Sequence, residues 1–138
     1  MLAAYLGFLD GHKYLGYVVS LLPVIELLLV VTGGRRNPRF ARTISMICKV
    51  GYRLVGGLVL FLGLALWHLN SNIGFFSGFI WVSILLWGGV EVASKRMVLP
   101  QCLAVISGET GSRDMVVGAL IHLVCLLAIT GLMTVRPF

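Results

Sequence analysis

The stretch YLGYVVSLLPVIELLLVVTG, residues 14–33, runs for twenty residues with a single charged side chain, Glu26. At about 1.5 Å per residue, a helix of that length covers the ~30 Å hydrocarbon layer of a bilayer. Comparable apolar stretches fall at about 50–69, 74–94 and 115–135. The chain of 138 residues is 59% hydrophobic and 12% charged, with a mean hydropathy of +1.00. A soluble domain of this size could not hide so much apolar surface from water. The expected fold is therefore all-α: one integral membrane domain over residues 1–138, a bundle of four transmembrane helices with the lipid bilayer as its solvent.

The charge distribution orients that bundle. The net charge is +6, and Arg35, Arg36, Arg39, Arg42 and Lys49 cluster between the first two apolar stretches, while Lys95, Arg96 and Arg113 bracket the third connection. Basic connections stay in the cytoplasm, which predicts both termini on the opposite side, N-out and C-out. With no soluble face to carry the basic residues, a nucleic-acid partner is excluded. The uncharged NSNIGFF segment reads as a tight outer turn at Asn70, Ser71 and Asn72, making helices two and three antiparallel neighbours.

Within VLPQCLAVISGETGSR, residues 98–107 read as a short interfacial helix. The first eleven residues read as an amphipathic stub on the outer interface. MLAAYLGFLDGHK has neither a basic n-region nor a small-residue cleavage site, so helix one is expected to act as its own insertion signal. Pro23 is expected to kink that helix and free a backbone carbonyl.

Ionisable groups inside a membrane cost roughly 2.5–3.5 kcal/mol each on insertion scales, so each needs a partner or a use. Glu26 and His122 fall at similar depth in helices one and four, which predicts an intramembrane polar pair serving as interhelical glue or as a proton relay. Arg53 and Glu91 sit near the inner ends of helices two and three and form a predicted interfacial ion pair, for which Lys95 competes. His12 and His68 lie near the outer surface on adjacent helices, where two imidazoles could ligate a b-type haem from opposite sides; facing headgroups or water is the alternative.

Cys48, Cys102 and Cys125 form no CxxC pair, fall in or beside different apolar segments and read as small core residues, so no metal site is assigned. The sequence holds no phosphate loop, GxSxG or HExxH, and no catalytic residue is assigned. Glycine is frequent, with 17 residues. Gly56, Gly57, Gly63, Gly74, Gly78, Gly88 and Gly89 allow close helix approach, within the bundle or against a partner subunit.

In order of features, HKYLGY, RRNPRFAR, GYRLVGGLVLFLG, WVSILLWGGVEVASKR and ALIHLVCLLAITG resemble the small four-helix inner-membrane proteins of the SirB and CopD type. The resemblance implies a four-helix bundle in a bacterial inner (cytoplasmic) membrane and, for some relatives, haem or metal association. The leading functional expectation is an accessory or scaffold subunit of a larger membrane complex, of the electron-transfer or photosynthetic kind, partnered by other membrane subunits. The rival expectations are a b-haem electron-transfer protein and a small transporter or proton-conducting protein.

Overall fold

The structure, a computed structural model, describes residues 2–69 and 78–135. The turn expected at Asn70, Ser71 and Asn72 and the glycine at Gly74 lie outside those residues. Every regular element among the described residues is helical. Four helices are long and apolar enough to cross a membrane: α1 (Tyr5–Gly34), α2 (Pro38–Leu69), α3 (Gly78–Ile106) and α4 (Arg113–Val135). In the most apolar window of each, only 22–28% of residues are buried inside the bundle. The rest of that apolar surface needs lipid or partner subunits around it.

Three boundaries differ from the sequence reading, and each has a local cause. The first eleven residues form no separate stub, because helix runs unbroken from Leu2 to Leu29 through the buried Pro23. Helix two begins at Pro38 rather than near residue 50: the Asn37 side chain accepts a hydrogen bond from the Arg39 backbone N–H at 2.9 Å, and Pro38 supplies a first-turn position that needs no N–H partner. The helix expected at residues 98–107 is present as Leu99–Ile106, but it continues α3 rather than standing apart from it.

It stops there in a Schellman cap. Gly108, at φ 100°, takes the left-handed position while its N–H reaches the Val105 carbonyl at 3.2 Å and the Glu109 N–H reaches the Ala104 carbonyl at 2.9 Å. At about 1.5 Å per residue, α2 and α3 are then ~45 Å long, well beyond a ~30 Å hydrocarbon layer. Part of each therefore extends beyond it, consistent with Arg39, Arg42 and Lys49 lying exposed on α2 itself.

The buried stripes recur at helical spacing: Val19, Pro23, Glu26 and Val30 on α1; Ala41, Ile44, Cys48 and Tyr52 on α2; Val90, Ala93, Val98 and Cys102 on α3; Met115, Ala119, His122 and Leu126 on α4. Helix α1 packs against both α2 and α4, α4 packs on α3, and the C-terminal part of α3 returns to the start of α2, closing a ring of four. The two basic connections are tied together: the Arg35 Nε donates to the Gly111 carbonyl at 2.9 Å and the Gly111 N–H to the Arg35 carbonyl at 2.8 Å. Gly118 sets the spacing of α3 and α4, since a Cβ there would lie 2.6 Å from Val98 Cγ2 and 3.1 Å from Met97 Cβ.

Candidate functional site

Glu26 and His122 are fully buried and face each other across α1 and α4. The His122 Nδ1 lies 2.8 Å from Oε2 and 3.1 Å from Oε1 of Glu26. Helix α2 adds two donors: the Tyr52 hydroxyl donates to Oε2 at 2.5 Å, and the Cys48 thiol points at Oε1 at 3.9 Å. On the far side of the imidazole, Nε2 sits 3.1 Å from the Val90 carbonyl and 3.0 Å from the Ser94 Oγ, both on α3. The Tyr52 and His122 rings meet edge to face, with centroids 4.7 Å apart. One carboxylate and one imidazole thus join all four helices.

The hydrogen bonds restrict where the protons are. A carbonyl oxygen can only accept, so the Val90 contact places a proton on Nε2 of His122. The Nδ1 contact is then satisfied either by a neutral Glu26 donating its proton to Nδ1, or by an ionised Glu26 accepting from an imidazolium. Tyr52 donates to Oε2 in both. The two arrangements differ by one proton moved across 2.8 Å, with the same heavy-atom contacts. Among the described residues no buried side-chain nitrogen or oxygen lacks a partner, as a low-dielectric interior requires.

Two helical segments wound with the wider π pattern adjoin this site. Ile47–Gly56 on α2 carries Cys48 and Tyr52, and Ser94–Val98 on α3 begins at Ser94. An i→i+5 turn rotates the side chains beyond it relative to a regular helix, and such turns recur at functional sites.

Away from the basic end the four helices leave a half-open cavity of about 300 Å³. Its walls come from all four helices, with Val59, Ile84, Trp87 and Leu126 as apolar surface and His12, Lys13, Ser20 and Thr130 as polar groups. Ser20 and Thr130 bridge α1 and α4, their hydroxyl oxygens 2.7 Å apart. Each also lies 2.8 Å from the carbonyl four residues before it. One hydroxyl therefore donates across the gap while the other donates back to its own helix.

The remaining sequence-predicted residues fall as follows. His12 lines the cavity, and its Nδ1 donates to the Val59 carbonyl at 2.9 Å, which makes Nε2 the acceptor nitrogen of the neutral ring. His68 is exposed near the end of α2 and is not among the cavity-lining residues, so the two imidazoles do not face each other across that space. Arg53 and Glu91 approach to 3.8 Å, while Lys95 comes closer, at 3.2 Å from the same carboxylate oxygen.

Tyr52, Cys48 and Ser94 were not assigned to a site from sequence. The Asn37–Pro38 helix start was the signal that could have found the first two, because it places Tyr52 fourteen residues inside α2 instead of at its mouth. Cys48 and Cys102 are buried in the core, as their setting in apolar segments suggests, and ligand atoms of Glu26, Cys48 and His122, drawn from three helices, all lie within 4.8 Å of one another. Spacing along the chain cannot reveal such a group. Comparison with protein-family models, with curated proteins and with solved structures found no match, so the residues themselves carry the functional argument.

Proposed function

We propose that this chain is a small accessory subunit of a membrane assembly whose bundle holds a lipid-like ligand, with an apolar tail and a polar or acidic head. The observation that carries this reading is the cavity between the four helices, about 300 Å³ and mostly apolar, with few polar groups. A concave apolar site with a handful of orienting polar groups is how proteins bind small molecules. Val59, Ile84, Trp87 and Leu126 suit a tail, while the Lys13 ammonium, toward the non-basic end, suits a head that accepts hydrogen bonds or carries negative charge. The role in a larger assembly is supported by glycines that the bundle does not use. A Cβ at Gly57 or Gly88 would meet nothing within 4 Å, leaving two places where a partner helix can approach closely.

The test is to purify the chain in mild detergent, extract it with organic solvent, and identify both the retained small molecules and the co-purifying subunits by mass spectrometry. About one lipid-like molecule per chain is expected. Ile84→Trp, which fills the cavity, should remove it while leaving the thermal unfolding transition in place. A wild-type protein that retains nothing after detergent exchange, or an Ile84→Trp variant that retains the same molecule, overturns the reading.

A further inference from the structure

We propose that Glu26, Cys48 and His122 form a binding site for one borderline-soft divalent cation of the zinc class. In tetrahedral zinc sites the metal bonds are about 2.0–2.3 Å, so neighbouring ligand atoms stand roughly 3.3–3.6 Å apart. Here Glu26 Oε1 lies 3.1 Å from His122 Nδ1 and 3.9 Å from Cys48 Sγ. The third separation, between Cys48 Sγ and His122 Nδ1, is within 4.8 Å, so drawing the thiol sulfur toward the other two ligand atoms would centre an ion among the three. The other carboxylate oxygen, Oε2, keeps its hydrogen bond from Tyr52.

Two independent features favour a metal over a purely structural knot. The first is the outer support of the imidazole. Metal-bound histidines characteristically donate their second ring N–H to a carbonyl or carboxylate, which fixes the tautomer and turns the remaining lone pair to the metal. The Val90 carbonyl, 3.1 Å from Nε2, does this for His122 and presents Nδ1 to the other two ligands. The second is charge. Without metal, the carboxyl, imidazole and thiol together are neutral in either proton arrangement. Binding of M²⁺ displaces two protons, one from the Cys48 thiol and one from the Glu26–His122 pair, and leaves a carboxylate, a thiolate and a neutral imidazole around two positive charges. The site stays neutral, which a fully buried position demands. A trivalent ion would leave a net positive charge, and the thiolate and imidazole discriminate against Mg²⁺ and Ca²⁺.

The full chain, refolded in mild detergent from a chelator-treated denatured state, is titrated with Zn²⁺ and, as a spectroscopic probe, Co²⁺. One Zn²⁺ per chain by elemental analysis is expected, together with visible Co²⁺ bands of a tetrahedral site and a near-ultraviolet thiolate-to-Co²⁺ charge-transfer band. Cys48→Ser should abolish that band and weaken binding by roughly tenfold or more, whereas Cys102→Ala and Cys125→Ala should leave both unchanged. If Cys48→Ser does not refold, the wild-type spectrum shows whether a thiolate binds, and the two alanine variants assign it by elimination. A wild-type chain that refolds to full helicity but binds no Zn²⁺, or loss of the charge-transfer band in Cys102→Ala or Cys125→Ala, overturns the proposal.

Discussion

The two halves of this bundle solve opposite problems. Toward the basic connections the helices are closed on one another: Glu26 and His122 are fully buried and hydrogen-bonded, the loops are locked by Arg35 and Gly111, and Gly118 brings α3 and α4 into contact. Toward the other end the same four helices leave a cavity of about 300 Å³ with Ser20 and Thr130 as a polar bridge between α1 and α4. In lipid the hydrophobic effect does not draw helices together, so close packing and interhelical hydrogen bonds decide where they meet tightly. The closed half has both in quantity. The open half has fewer, and is where the bundle can accept a guest.

The largest expected effect comes from removing the centre of the closed half. Glu26→Leu leaves the Tyr52 hydroxyl and the His122 Nδ1 without their shared partner, and should lower stability by about 2–3 kcal/mol, within the range for orphaned buried groups. Glu26→Gln should cost under ~1 kcal/mol, because the amide oxygen still accepts from Tyr52 and the amide N–H can donate to Nδ1 while Nε2 keeps its proton for Val90. Reversible unfolding in mixed denaturing micelles, with chelator present, measures both. Equal losses for the two substitutions would mean that shape rather than hydrogen bonding holds this half together.

A smaller contrast sharpens the comparison. Gly118→Ala places a methyl 2.6 Å from Val98 Cγ2 and should cost about 1–2 kcal/mol through overpacking. Gly16→Ala, on the cavity wall with nothing within 4 Å of its Cβ, should fall within ~0.5 kcal/mol of wild type and lean towards stabilisation, since alanine favours helix over glycine. Comparable losses at both positions would show that the open half closes up in the membrane.

The closed half was partly legible in the sequence and the open half hardly at all. Glu26 and His122 stand out because each is an ionisable residue in a long apolar run, and the cost of burying either alone points to a partner. Tyr52, Cys48 and Ser94 carry no formal charge and a smaller burial cost, and in a membrane helix they look like any other core residue. Their depth was also misplaced: the arginines after Asn37 read as a loop, although Asn37 and Pro38 start a helix that carries those arginines on its exposed side. A cavity leaves no mark in hydropathy, because apolar residues line it just as they fill a core. Only the packing angle and side-chain sizes of four helices together create it.

The smallest effect is expected at Arg53, which follows Tyr52 in sequence but points away from the closed core. Its Nε is 3.8 Å from Glu91 Oε2, whereas the Lys95 ammonium holds the same oxygen at 3.2 Å from one turn along α3. The Arg53 and Lys95 side chains are about half exposed and that of Glu91 is 23% exposed, so neither pair is strongly desolvated. Exposed pairs are worth roughly 0–1 kcal/mol. Arg53→Ala should therefore change stability by less than ~0.5 kcal/mol, with Lys95 keeping Glu91 neutralised, and the residual effect should shrink as salt rises. Removing Arg53 and Lys95 together leaves the carboxylate with neither cation and should cost more than the two single changes added, because each can stand in for the other. A single Arg53→Ala loss as large as that of Glu26→Leu would show that the rim, not the buried carboxylate and imidazole, holds α2 to α3.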